Sequence, residues 1–350
     1  MKKNLLSLLL ALSITAGCLS IPAYAETTAT DGTEDPAMTE TLPDLAQDAQ
    51  APQTEYAFGS VSILNGCRTL DGQVPLAGSD RKLDTAQAAI IYERNTGTLV
   101  YAYNPDTKLP PGALSKIVTA LIVVERVENL DTVVTVQPGI ASRIPGGATS
   151  TKLKSEEQMS VRDLLHCMIM QNAADAAVAL AEYVAGTRAT FVDMMNQRVK
   201  TLGLKNSHFE NCTGLDDEIT NHYSCAYDLA VIAKEIMKHK LILKYSTVWL
   251  DSLRNGKTEL NNTNKLINKY NGMTGLKTGT TSNAGFCLCA TATRDNISFV
   301  SVVLGAKTSD DRFDLSRQLL DYGFANYKIE EMKIDNSKIK SVRIKKGEIK

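Results

Sequence analysis

The chain has 350 residues, 43% of them hydrophobic and 22% charged, enough for one large domain with a sizeable core and a small appendage. Its formal net charge is -1, which excludes bulk attraction to nucleic acid or an acidic polymer.

Lys2 and Lys3 form a basic start, and Leu5 to Ile21 is apolar apart from small or weakly polar residues. Ala23-Tyr24-Ala25 then places small residues at the two positions a signal peptidase reads. Residues 1–25 are read as a secretory signal cleaved after Ala25. An uncleaved anchor and a lipoprotein site at Cys18 are rival readings. The run is short for a span, and Thr15 is a poor residue three places before a lipidated cysteine. No later segment has about 18 consecutive apolar residues, so no membrane span is expected in the mature chain. Residues 26–55 are rich in Thr, Asp, Glu, Pro, Ala and Gln and poor in large apolar side chains. Such a stretch cannot bury enough surface to offset its ordering entropy and is read as an acidic disordered linker.

The main domain is expected over 56–328. Its first regular feature is a hairpin: Ala88-Ala89-Ile90-Ile91-Tyr92 reads as a buried strand, Asn95-Thr96-Gly97 as the turn, and Thr98-Leu99-Val100-Tyr101 as the return. Pro110-Pro111-Gly112 stops extended structure ahead of an apolar helix over 113–127. Further helices are predicted at 161–171, 173–184, 188–202 and 224–238. Gly275 to Thr280 leads to strands at 286–293 and 298–305, and 310–326 reads as a last helix. Strands at both ends of a run of helices predict an α+β fold whose sheet is completed by distant segments. Residues 329–350 are basic and strand-like.

Six cysteines remain after the signal: Cys67, Cys167, Cys212, Cys225, Cys287 and Cys289. Cys287 and Cys289 alternate on one strand, point to one face and do not bridge each other. A Cys212–Cys225 bridge is conceivable, with buried free thiols the favoured state. No CxxC or Cys/His spacing suggests a metal, and no cofactor motif is present. His166, His208, His222 and His239 lack a triad-like Ser or Asp context and are read as structural. Asp175, in Asn172-Ala173-Ala174-Asp175, reads equally well as a helix N-terminal charge or as a catalyst.

Four stretches, taken together, resemble the low-molecular-weight penicillin-binding proteins that act as D-Ala-D-Ala carboxypeptidases. They are Pro110 to Ala120 (PPGALSKIVTA), Met168 to Gly186, Leu202 to Asp228, and Gly275-Leu276-Lys277-Thr278-Gly279-Thr280-Thr281, in order and spacing over about 88–327. The resemblance implies a penicillin-binding-protein/β-lactamase-like domain, an antiparallel sheet flanked by helices. It also implies export and a role in peptidoglycan metabolism. The family's chemistry needs a helix-opening serine three residues before a lysine, a Ser-x-Asn element, and Lys-Thr-Gly on an edge strand that grips the substrate's carboxylate.

Only the third element is whole here, as Lys277, Thr278 and Gly279. Lys116 is present, but the nucleophile position is Ala113. Ser115 adjoins Lys116, so on a helix their side chains diverge by about 100°. Asn172-Ala173-Ala174 stands where the family has Ser-x-Asn, so a hydroxyl has become an amide and an amide a methyl. Tyr227 stands where the family carries Arg. A lone Ser-to-Ala exchange would fit an inactivated variant; joint change at Ala113, Asn172 and Ala174 fits abandoned catalysis better. A non-acylating relative that binds stem peptides or a cell-wall enzyme is therefore expected. The alternatives are an active serine carboxypeptidase with another nucleophile and an interaction module with a relic cleft. Without its serine, Lys116 is expected to be satisfied by carbonyls or by Asn172. Relatives continue into a β-rich second domain and an amphipathic anchor; the resemblance implies that 329–350 is a remnant of the former, with no C-terminal anchor.

Overall fold

The computed structural model describes residues 85–328, apart from 145, 217 and 218. All fall within the compact unit Ala57–Lys350, and none within the unit Met1–Tyr56. The expected signal, linker and tail, together with Cys67, lie outside the described residues.

The hairpin forms as read, with Ala88–Glu93 (β1) antiparallel to Leu99–Tyr103 (β2), Ile91 facing Tyr101. The helix expected over 113–127 is divided. A 3₁₀ turn over Gly112–Leu114 runs into Ser115–Arg126 (α1). The cause is Gly112, whose φ of 53° is outside the right-handed region, so the regular helix cannot extend back to it. Residues Ser115 to Val123 of α1 are all buried, the mark of a helix at the centre of a domain.

Next come Val133–Thr135 (β3), Gln158–Ser160 (β4), Val161–Met170 (α2), Ala174–Ala185 (α3), Arg188–Thr201 (α4), Ala226–Ile236 (α5) and Lys240–Thr247 (α6). Leu250–Leu253 (β5) and Thr258–Asn261 (β6) make a small hairpin. Met273–Thr281 (β7), Gly285–Arg294 (β8), Ile297–Ala306 (β9) and Ser309–Asn326 (α7) complete the domain. The segment read as leading into the strands is itself a strand, β7, as the resemblance implies for Lys-Thr-Gly. Ser160 caps α2 by accepting from the Asp163 N–H, and Thr308 and Asp311 form a capping box at α7.

The main sheet is antiparallel, in the order β2-β1-β9-β8-β7. One edge is β7, and β1 pairs with β9 from the far end of the domain. Alternation sorts the strands' side chains onto two cores. Ile90, Cys287, Cys289, Val300, Val302 and Leu304 face the main helical cluster. Ile91, Leu288, Phe299 and Val303 face α7 through Leu315, Leu319 and Leu320. The α+β expectation, an antiparallel sheet flanked by helices, therefore holds. Cys167, Cys212, Cys225, Cys287 and Cys289 are all free and buried, so the conceivable Cys212–Cys225 bridge is not formed. Among the described residues no helix is long and apolar enough to cross a membrane.

Candidate functional site

The site is built where the 3₁₀ turn meets the sheet edge. Gly279 on β7 lies so close to that turn that a Cβ there would stand 2.9 Å from the Ala113 nitrogen and 3.2 Å from the Leu114 nitrogen. Only glycine permits the approach. Arg312 of α7 holds the same point from the other side, donating through Nη1 to the Gly279 carbonyl (2.9 Å), Thr280 Oγ1 (2.9 Å) and the Cys287 carbonyl (3.3 Å). Sequence reading missed Arg312, because nothing local marks an arginine on the last helix as reaching back 33 residues.

Ala113 and Lys116 lie on one face of the turn-to-helix junction, since residues three apart align in a 3₁₀ turn and nearly so in an α-helix. Lys116 is 1% exposed, and its Nζ donates to the Thr213 carbonyl at 2.7 Å. It is thus satisfied by a carbonyl rather than by Asn172, whose buried Oδ1 has no partner. That carbonyl is presented by an Asx turn, in which Asn211 Oδ1 accepts from the backbone of Thr213 and Gly214 and from Thr213 Oγ1. Burial pushes the Lys116 amine down from 10.5 to about 8, opposed by the charges of Cys212 and Asp175. Lys277, also 1% exposed, is driven well below its ordinary value by burial first, then by the charges of Lys116 and Arg312. Its Nζ donates to the Thr278 carbonyl at 2.9 Å. Two buried amines and a buried guanidinium therefore stand close together, with burial disfavouring the charged form of each.

Asn172 joins α2 to α3 at φ 66°, a left-handed conformation that Asn tolerates well. Asp175, open in the sequence, is an anchor. Its carboxylate accepts from Ser150 Oγ (2.7 Å) and from the backbone N–H groups of Thr151 (3.1 Å) and Leu153 (3.0 Å), fixing the loop beside the first turn of α3.

The histidine reading needs a correction, for His222 does have a serine partner: its Nε2 lies 2.8 Å from Ser115 Oγ. The pair is separated by 107 residues and so is invisible to local spacing. Its polarity is wrong for catalysis. The Glu210 N–H donates to His222 Nδ1 (3.1 Å), so in the neutral ring the proton sits on Nε2 and is donated to Ser115. Ser115 passes its own proton to the Gly112 carbonyl at 3.0 Å. Burial, with the His208 charge, pushes His222 down to about 4, so the ring is a weak base, and the nitrogen facing Ser115 already carries its proton. Ser115 is also fully buried. His166 Nε2 stands 3.3 Å from Asp251 Oδ2 and stacks on Tyr245, a packing role away from the cleft residues.

The edge of β7 offers backbone groups along which an extended peptide can align. Three residues before Lys116, the turn carries the methyl group of Ala113. No group of three or more His, Cys, Asp or Glu among the described residues could hold a metal.

The geometry agrees with what the chain is similar to. A sequence profile described as D-alanyl-D-alanine carboxypeptidase matches residues 78–308. D-alanyl-D-alanine carboxypeptidase DacF of Bacillus subtilis is 36% identical over 273 residues, covering 76% of this chain and 69% of that protein. The corresponding DacC of Escherichia coli is 36% identical over 247 residues, covering 68% of this chain and 61% of its own length. Among solved structures, penicillin binding protein 5 from Haemophilus influenzae superposes with a TM-score of 0.66 at 33% identity, covering 73% of each chain. The Streptomyces K15 DD-transpeptidase does so at 0.65 and 30% identity, over 69% of this chain and 97% of that one. With the sheet order, the edge-strand Lys-Thr-Gly and the buried helix lysine already in place, these matches assign the chain to the D-alanyl-D-alanine carboxypeptidase family.

Proposed function

We propose that this chain is an exported, non-acylating member of its family that binds the D-Ala-D-Ala end of peptidoglycan stem peptides without cleaving it. One observation carries the reading: the position three before Lys116 is a methyl, and the one hydroxyl beside it, Ser115, is buried and donates to a carbonyl. By analogy with serine hydrolases, removing the nucleophile costs on the order of a millionfold in turnover. Asn172 and Ala174 add to the loss, because residue 172 has no hydroxyl and residue 174 no amide. The Lys277-Thr278-Gly279 edge supports retained binding. β7 lies at an edge of the sheet, and that edge offers backbone groups to an extended peptide.

The test has two parts. Intact-mass measurement after incubation with penicillin should show the unmodified chain, and calorimetric titration with a D-Ala-D-Ala peptide should show saturable binding. A penicillin adduct on any side chain would refute loss of acylation; absence of peptide binding would leave only an interaction module with a relic cleft.

A further inference from the structure

Two Asn-Gly pairs lie among the described residues: Asn255-Gly256 at the tip of the β5–β6 hairpin, and Asn271-Gly272 just before β7. Pairing of Leu253 with Thr258 leaves Arg254 to Lys257 as the hairpin loop, closed by the Lys257 N–H on the Arg254 carbonyl at 3.3 Å. Arg254, Asn255 and Gly256 have φ of 56°, 55° and 80°. Asn and Gly tolerate that left-handed region, whereas an arginine is strained in it. Bonds from its own side chain hold Arg254 there. Nε and Nη2 donate to Glu157 at 2.6 and 3.1 Å, and Nη1 donates to the Thr151 carbonyl and to Thr258 Oγ1, both at 2.9 Å. The hairpin tip is thereby strapped to the loop over 151–157.

The two pairs differ in what surrounds them. Asn255 and Gly256 are exposed. Among the described residues no hydrogen bond holds the Asn255 amide or the Gly256 N–H, and a Cβ built at Gly256 would meet nothing within 4 Å. Gly272 is hemmed in. Its carbonyl accepts from the Thr293 N–H at 2.8 Å, and a Cβ there would stand 2.3 Å from the Thr293 carbonyl oxygen. The Asn271 carbonyl accepts from Arg294 Nε at 2.9 Å, and that guanidinium lies 4.5 Å and 4.4 Å from the Tyr270 and Phe324 rings.

We infer that Asn255 is a site of spontaneous deamidation, and that its conversion releases the Arg254 strap. Asparagine is a thermally labile residue, and a following glycine, having no Cβ, leaves its nitrogen open to approach. Reaction needs the turn to open briefly, and a short exposed two-stranded hairpin opens at little cost. The Gly256 nitrogen attacks the Asn255 side-chain carbonyl carbon. A C–N bond forms, the bond to the amide nitrogen breaks, and ammonia leaves with the Gly256 proton. Water then opens the cyclic imide at either carbonyl, giving aspartate or isoaspartate. Either product sets a carboxylate beside Arg254 that competes with Glu157. In isoaspartate the main chain also runs through the side-chain methylene, and a backbone one bond longer cannot keep the same tight turn.

The test is peptide mapping of the folded chain aged in heavy-oxygen water at neutral pH, with aspartate and isoaspartate products resolved chromatographically. Solvent oxygen should enter residue 255 about tenfold faster than residue 271, the kind of gap that separates an open turn from a held one. In urea the two rates should converge, because unfolding removes what protects Asn271. Equal rates in the folded chain, or faster conversion at Asn271, would overturn the site. Aged chains with the extra negative charge, separated by ion exchange, should show faster amide hydrogen exchange over 151–157 than fresh ones. Asn255→Gly tolerates the same turn and has no amide to lose, so its exchange there should not change with age. Unchanged exchange in the deamidated chains, or an equal rise in aged Asn255→Gly, would overturn release of the strap.

Discussion

Replacing Lys116 with Met puts the electrostatics of the cleft to a quantitative test. The amine is moved from 10.5 to about 8 by burial. At 1.36 kcal/mol per tenfold change, keeping it charged inside the fold costs about 3 kcal/mol. Its pKa is lower folded than unfolded, so at pH below 8 both states hold the proton and the cost is fully present. Between about 8 and 10.5 the folded chain releases the proton while the unfolded chain keeps it, and stability rises with pH. Methionine removes the charge and keeps most of the side-chain volume, but it strands the Thr213 carbonyl, which loses its 2.7 Å donor at a cost of about 1–3 kcal/mol. At pH 7 the two effects oppose, and Lys116→Met should be equal to the parent or more stable by up to about 2 kcal/mol. At pH 10 the unfolded chain still holds most of its proton, so about 1 kcal/mol of the cost remains, and the variant should be equal to the parent or less stable by up to about 2 kcal/mol. Relief of Lys277, whose amine is also depressed by Lys116, acts in the same direction. Urea denaturation of both proteins at pH 7, 8.5 and 10 reads the crossover. A stability difference that stays constant across that range would refute the assignment of Lys116 as a buried, destabilised cation.

Restoring the oxygen alone, Ala113→Ser, should give almost no penicillin adduct by mass spectrometry; the triple Ala113→Ser, Asn172→Ser, Ala174→Asn should acylate measurably. No adduct in the triple would mean that the pocket itself has changed. Gly279→Ala should lower thermal stability, because the new methyl would meet the Ala113 nitrogen at 2.9 Å; overpacking of this sort costs about 1–3 kcal/mol, and an unchanged Tm would show that the turn and β7 separate easily. Arg312→Met should cost about 1–3 kcal/mol by removing the donor shared by the Gly279 and Cys287 carbonyls, the former keeping only Thr280 Oγ1, and should also weaken D-Ala-D-Ala peptide binding in calorimetry; unaffected binding would show that Arg312 does not shape the groove.

The parts of this molecule that could be read from sequence are those whose cause is local. The β1–β2 hairpin, α1 to α5, the last two strands and α7 follow from runs and periods of apolar residues. Ala113, Lys116 and Lys277 follow from the family resemblance of the stretches that carry them. The parts that could not be read depend on long reach or weak patterning. The β5–β6 hairpin and α6 are short, and the hairpin is largely polar, so neither presents a clear face. Ser115 meets His222, and Arg312 meets Gly279, through contacts that exist only once distant elements dock. The 3₁₀ start of α1 turns on a single backbone angle at Gly112. The acceptor at Asn172 is conspicuous only because the folded chain leaves it without a donor.

The anchoring of Gly279 by Arg312 sets an order of assembly. The turn carrying Ala113 and Lys116 is made early in synthesis, but β7 to β9 and the helix bearing Arg312 are made last. A nascent chain stopped short of residue 312 has the lysine half of the cleft without a fixed opposing wall. Ligand affinity in a series of ribosome-stalled lengths would then switch on in one step once the helix bearing Arg312 has emerged, making occupancy a marker that the whole domain has formed.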